Sequence, residues 1–198
     1  MGYTAFDRFV AWCRFRVAAP HIRPGSRVCD LGCGSGAPFL DYVADRLDLG
    51  VGIDEDAGQT TNEKVRIVSG DITSALPLSS EQFDHVTMLA VLEHLQQPKS
   101  VLAEAHRILR PCGSLVMTWP SALVDPILGV VIRLGMVDQG MHAEQHQPRI
   151  PRESLADMLR QIGFGRIETG TFELGLNNWL IAHKPEFPFW FPAADQHT

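Results

Sequence analysis

Long apolar runs, paired cysteines and an excess of basic residues are what this chain lacks. No uncharged apolar stretch approaches the ~20 residues that a helix needs to cross a bilayer, and no apolar run follows a basic segment near the N-terminus. No stable membrane insertion and a cytoplasmic location are therefore expected. Cys13, Cys29, Cys33 and Cys112 include no Cys-x-x-Cys pair and read as free thiols in a reducing compartment. Lys and Arg number 17 against 23 Asp and Glu, a net charge of -6, which argues against a dedicated nucleic-acid binder. Repeats and low-complexity segments are absent. No set of carboxylates is laid out for a metal, so none is expected.

What is present is an alternation of strand and helix patterns over 198 residues, a length that suits one domain with a proper core. Strands are predicted at 27–30, 50–54, 66–69, 83–89, 114–119, 166–172 and 178–184. Phe39, Leu40, Val43, Ala44 and Leu47 recur at helical spacing after the first strand. Val101, Leu102, Ala105, Ile108 and Leu109 mark a helix ended by Pro111 and Gly113, and Pro151 starts another that Gly163 stops. Phe6, Phe9, Val10 and Cys13 form a stripe near the N-terminus, where residues 1–20 could make a helical lid, with Tyr3 near its mouth, or an ordinary amphipathic helix. Such alternation implies an α/β doubly wound, mostly parallel sheet with helices on both faces and ligands at the C-terminal ends of the strands.

The richest segment is Val28-Cys29-Asp30-Leu31-Gly32-Cys33-Gly34-Ser35-Gly36. Three glycines at every second position let the backbone turn tightly and approach a ligand that a Cβ would exclude. Gly32-x-Gly34-x-x-Ala37, with Asp54 further on, also satisfies the looser dinucleotide fingerprint. Asp30 separates the two readings: its charge would repel a pyrophosphate and welcome an ammonium or sulfonium. Asp54 ends the second strand, where a carboxylate could receive both ribose hydroxyls, and Asp71 follows the third. Each acid taken alone is more often a solvated loop carboxylate.

At these residues the chain resembles the class I methyltransferases that use S-adenosylmethionine (SAM), whose first motif is an acid followed by x-G-x-G-x-G. The segment Phe83-Asp84-His85-Val86, continued by Leu92-Glu93-His94 and Pro98, is similar to the family's FDxV…LEHxxxP region, and Leu109-Arg110-Pro111-Cys112-Gly113 to its turn before strand five. The matching motifs run from 27 to about 120. Two departures stand out: Cys112 replaces a glycine, and only Glu55 to Lys64 separate strands two and three, so the usual helix there is shortened or replaced by a loop. The resemblance implies a seven-stranded sheet of order 3-2-1-4-5-7-6 with the last strand antiparallel. It also implies cofactor contacts at Asp30, Gly32, Cys33, Gly34, Gly36, Asp54, Glu55, Asp71, Ile72, Leu89 and Ala90.

Absent motifs narrow the reaction. After strand four stands Leu89-Ala90-Val91-Leu92, where DNA amino-methyltransferases carry N/D-P-P-Y, and Pro111-Cys112 lies on the wrong turn for a cytosine C5 enzyme. A small-molecule substrate is the remaining expectation, methylated on oxygen in saccharide, lipid-linked or natural-product biosynthesis, by a monomer or homodimer. His94, His142 and His146 are the candidate proton acceptors, each with a purely structural or surface reading beside it. Residues 121–150, with the stripe Leu123, Ile127, Val130, Val131 and Leu134, are the expected substrate cap, and the stripe reads equally as a dimer contact or as packing on the sheet. The aromatic tail from Phe187 to Pro192 could touch a membrane surface or partner, or fold back on the domain. Two rivals remain at this point: a catalytically silent SAM-binding module, and an NAD-dependent oxidoreductase.

Overall fold

Seven strands form one sheet in a computed structural model that describes residues 5–56, 58–60, 62–122 and 150–187. They are β1 (Ser26–Leu31), β2 (Leu47–Asp54), β3 (Val65–Ser69), β4 (Phe83–Leu89), β5 (Leu109–Pro120), β6 (Ile167–Phe172) and β7 (Asn177–His183). Their spatial order is β3-β2-β1-β4-β5-β7-β6. β1 to β5 pair in parallel, whereas β7 runs antiparallel to both of its neighbours. This is the α/β architecture that the alternation implied. The order reverses beside β1, and the crevice above such a switch point is where open α/β sheets bind ligands.

Both faces are covered, which accounts for the nearly continuous apolar runs of the central strands. On one face Cys29, Leu31, Val86, Met88, Leu115 and Met117 meet α3 (Pro98–Ile108) and α4 (Arg152–Ile162) through Val101, Leu102, Ala105, Leu155 and Leu159. On the other, Val28, Val116 and Ile181 pack with Phe15 and Ala18 of α1 (Ala5–Ala18) and with Phe39 and Leu40 of α2 (Pro38–Tyr42). Pro151 caps α4, and Gly163 closes it at φ +117.

Several expected boundaries move. The helix after the glycine loop spans only Pro38–Tyr42 and gives way to a 3-10 turn at Ala44–Arg46. Leu47, the last member of the predicted helical stripe, instead opens β2 opposite Ser26. Arg46 holds that corner by donating to the carbonyl of Ala19 at 2.8 Å. Pro111 and Gly113 do not end α3, which stops at Ile108; Leu109 already pairs with Phe83, and a register shift with Cys112 at φ 62 carries the backbone on into β5. The N-terminal stripe also differs, because Phe9 is 55% exposed beside Trp12 while Phe15 and Ala18 supply the contact with the sheet. No helix appears among the described residues between β2 and β3, as the short spacing anticipated.

Candidate cofactor site

The loop after β1 is built by its glycines and locked to β2. Gly32 adopts φ +73, and a Cβ there would lie 2.5 Å from Cγ2 of Val91. Only glycine satisfies both the left-handed backbone and that contact. The Gly32 and Cys33 amides donate to the Ile53 carbonyl at 2.8 and 3.2 Å. Cys33 is buried against Gly52, where a Cβ would approach its Sγ to 2.7 Å. Burial, followed by the charges of Asp30 and Asp54, pushes the Cys33 thiol up to about 12, so it is a packing group and not a nucleophile at neutral pH.

Two carboxylates face this loop from adjacent strands. Asp54 accepts the Gly34 N–H on Oδ2 at 2.9 Å and the Asp56 N–H on Oδ1 at 3.0 Å. Each oxygen keeps a lone pair free of these bonds, which is what a pair of ribose hydroxyls requires. Asp30 is 3% exposed and accepts the Thr87 hydroxyl at 2.5 Å. Burial, reinforced by the charge of Asp54 and opposed by the Thr87 bond, raises its carboxyl to about 7. Among the described residues no Lys, Arg or His pairs with it. A buried carboxylate without a cation is costly, and a cationic ligand in this crevice would repay that cost.

Asp71 lies at an exposed turn after β3, its oxygens accepting from the Thr73 amide and hydroxyl and the Ser74 hydroxyl at 2.6–3.0 Å. These bonds lower its pKa and hold its turn in shape. Ile72 beside it packs its side chain against the core edge. Glu55 is exposed, while Leu89 and Ala90 are half-buried at the end of β4, with Ala90 at φ 61. Gly36 follows with φ +80 and would bring a Cβ to 3.6 Å from the carbonyl of Gln59. The loop after β2 thus covers the outer side of the glycine turn where a helix was not found.

His94 sits exposed on the 3-10 turn Leu92–His94 beyond β4, its amide donating to Val91. His142 and His146, most of the cap at 121–150, Tyr3 and the tail beyond Phe187 lie outside the described residues. Thr87 is the residue that sequence reasoning missed. It holds Asp30 from a strand 57 positions away, and only the pairing of Asp30 with Thr87 in the parallel register of β1 and β4 reveals it.

The sheet order, the glycine turn and two acids at the switch point define a class I SAM-dependent methyltransferase. The chain belongs to the methyltransferase-domain family, whose family model matches residues 5–169. It is 24% identical to a demethylmenaquinone methyltransferase of Anoxybacillus flavithermus, over 92% of this chain and 88% of that one. With a ubiquinone biosynthesis O-methyltransferase of Ruegeria pomeroyi it shares 28% identity over 78% of this chain and 66% of that protein. In fold it is similar to a SAM-dependent methyltransferase of Archaeoglobus fulgidus, with a TM-score of 0.66, 19% identity and coverage of 89% and 94% of the two chains. SAM is accordingly its cofactor.

Proposed function

We propose that this methyltransferase acts on a small molecule and transfers the methyl group to a hydroxyl oxygen. Its place would be in saccharide, lipid-linked or natural-product biosynthesis. The observation that carries the site assignment is Asp30, a buried carboxylate without a cation beside a glycine turn. It fits the ammonium and sulfonium of SAM and disfavours the phosphates of a dinucleotide. One relative is named a demethylmenaquinone methyltransferase and another a ubiquinone biosynthesis O-methyltransferase. Both names denote small acceptors, and that supports the same class here.

When bound, SAM supplies an electrophilic methyl on a sulfonium that leaves as a neutral thioether. The chain's part is alignment and exclusion of water. Asp54 would orient the ribose from the end of β2, while Asp30 would hold the charged end. Asp71 and Ile72 would meet the adenine, and Leu89 and Ala90 would line the crevice. Glu55, Cys33, Gly32, Gly34 and Gly36 shape its rim. A hydroxyl nucleophile loses its proton as the carbon–oxygen bond forms, and His94, His142 and His146 are the proposed proton acceptors. The enzyme is proposed to work as a cytoplasmic monomer or homodimer.

The test is label transfer from methyl-tritiated SAM to a panel of phenols, saccharides and polyketide alcohols, with amines as a control series. Label in a hydroxyl acceptor supports the proposal. Tight S-adenosylhomocysteine binding with no transfer to any acceptor would instead identify a silent SAM-binding module.

A further inference from the structure

Three polar atoms at the far end of the sheet are buried without hydrogen-bond partners: Oγ1 of Thr118, Oδ1 of Asn177 and Oε1 of Glu173. Thr118 is fully buried and Asn177 is 5% exposed. Such atoms cost free energy unless something satisfies them. The pairing of β5 with β7 brings them together. Thr118 lies opposite Trp179 and Pro120 opposite Asn177, so alternation puts Thr118, Asn177 and Trp179 on one face. Val116, Ile181 and Trp179 mark it as the face that α1 covers.

Glu173 joins the cluster from the turn between β6 and β7. The Asn177 side-chain amide donates to its Oε2, and the Cys13 thiol of α1 lies within its hydrogen-bonding reach. The Ser121 amide donates to Leu176 at 2.7 Å. Glu173 and Leu174 both adopt left-handed backbone, at φ 51 and 57, a conformation disfavoured for residues with a Cβ. Strain of this kind persists where the surroundings fix it, and it clusters at functional sites.

Thr118 lies near the C-terminal end of β5 and Asn177 opens the antiparallel β7, so this cluster sits at the same end of the sheet as Asp30, on the side of β4 away from the cofactor acids. We propose that Thr118, Glu173 and Asn177 form the acceptor subsite and receive a hydroxyl group of the substrate. The chemistry of the atoms selects that group: Oε1 and Oδ1 only accept, and Oγ1 can accept or donate. A ligand hydroxyl can bond Oγ1 and one of the two pure acceptors at once, accepting from the first and donating its single proton to the second; an ether of the same shape cannot donate. This assignment rests on the methyl-transfer reading and names the feature of the acceptor that the enzyme recognises.

The experiment measures phenol and anisole binding by ligand-observed NMR, with and without saturating S-adenosylhomocysteine, in the full chain and in the Glu173→Gln and Thr118→Val variants. Phenol should bind about tenfold more tightly than anisole, the worth of one buried hydrogen bond. That preference should fall to about twofold in either variant, while S-adenosylhomocysteine affinity stays within about twofold and reports an intact fold. Equal binding of the two probes, or a preference that survives both substitutions, overturns the assignment. Failure of S-adenosylhomocysteine to bind is a separate result that strikes the cofactor reading, and the cofactor-free arms still judge the Thr118, Glu173 and Asn177 cluster.

Discussion

The Thr87 hydroxyl donates to the Asp30 carboxylate across 2.5 Å, from β4 to β1, in the interior of the sheet. It is the bond that partly offsets the cost of keeping an acid there, and it does not cancel that cost, because burial still lifts the carboxyl to about 7. The apoprotein therefore carries a charge-ready group whose natural complement is a cation.

Replacing Asp30 with Asn should stabilise the apoprotein and weaken its ligand. The folded carboxyl is raised above its unfolded value, so its contribution to stability is full below about pH 4 and lost as pH rises through 7. Urea unfolding at pH 8 should favour Asp30→Asn by up to about 4 kcal/mol, with no advantage near pH 4. SAM affinity should fall by about tenfold or more in the same variant. A variant destabilised at pH 8 would contradict this reading of Asp30.

Cofactor binding should release a proton. An ammonium placed near Asp30 favours its charged form, so affinity rises with pH up to about 7 and levels off above it. Calorimetry at pH 7 in two buffers of different ionisation enthalpy should show release of about half a proton, absent in Asp30→Asn. No buffer dependence in the wild type would count against a cation beside this group.

His85 should make the fold acid-sensitive. Its Nε2 accepts the Arg23 amide at 3.4 Å, so Nδ1 carries the hydrogen and faces the Ser114 hydroxyl at 2.8 Å. Burial, then the charge of Arg23, lowers the ring to about 4, with His183 and His21 adding to the effect and Asp84 opposing it. The unfolded chain takes up this proton below about pH 6.5, so stability drains between 6.5 and 4 by about 3 kcal/mol. A His85→Gln variant should show a flatter profile over that window; an equally steep one would assign the loss to other groups.

Gly32→Ala should unfold the loop for steric reasons that a second change can relieve. Its Cβ would sit 2.5 Å from Val91 at a backbone φ of +73, at a cost of about 2–4 kcal/mol from contact and strain together. Combining it with Val91→Ala removes the contact and leaves the strain, so the double variant should be less destabilised than additivity predicts. Strict additivity in thermal unfolding would show that Val91 is not the obstacle.

Strand existence was legible because buried parallel strands announce themselves as short apolar, β-branched runs, whereas their order followed from the family resemblance. Boundaries were less legible. Leu47 continues the helical spacing of Phe39, Leu40 and Val43, yet pairing with Ser26 draws it into β2, a tertiary contact that local periodicity does not register. Leu109-Arg110-Pro111-Cys112-Gly113 reads as a turn and is an irregular opening of β5 for the same reason. In the site, Asp30, Gly34 and Asp54 were readable from spacing, and the structure brings Asp54 onto the Gly34 amide. Thr87, Thr118, Glu173 and Asn177 were not, because their placement depends on which strands lie side by side.

The most direct test is calorimetric titration of the purified chain with S-adenosylhomocysteine, beside NADH and an Asp54→Asn variant. Asp54 accepts the Gly34 and Asp56 amides and faces the crevice, so the account predicts micromolar binding to the wild type, about tenfold or greater loss in the variant, and no uptake of NADH. Tight NADH binding, or S-adenosylhomocysteine binding that ignores Asp54, would contradict it.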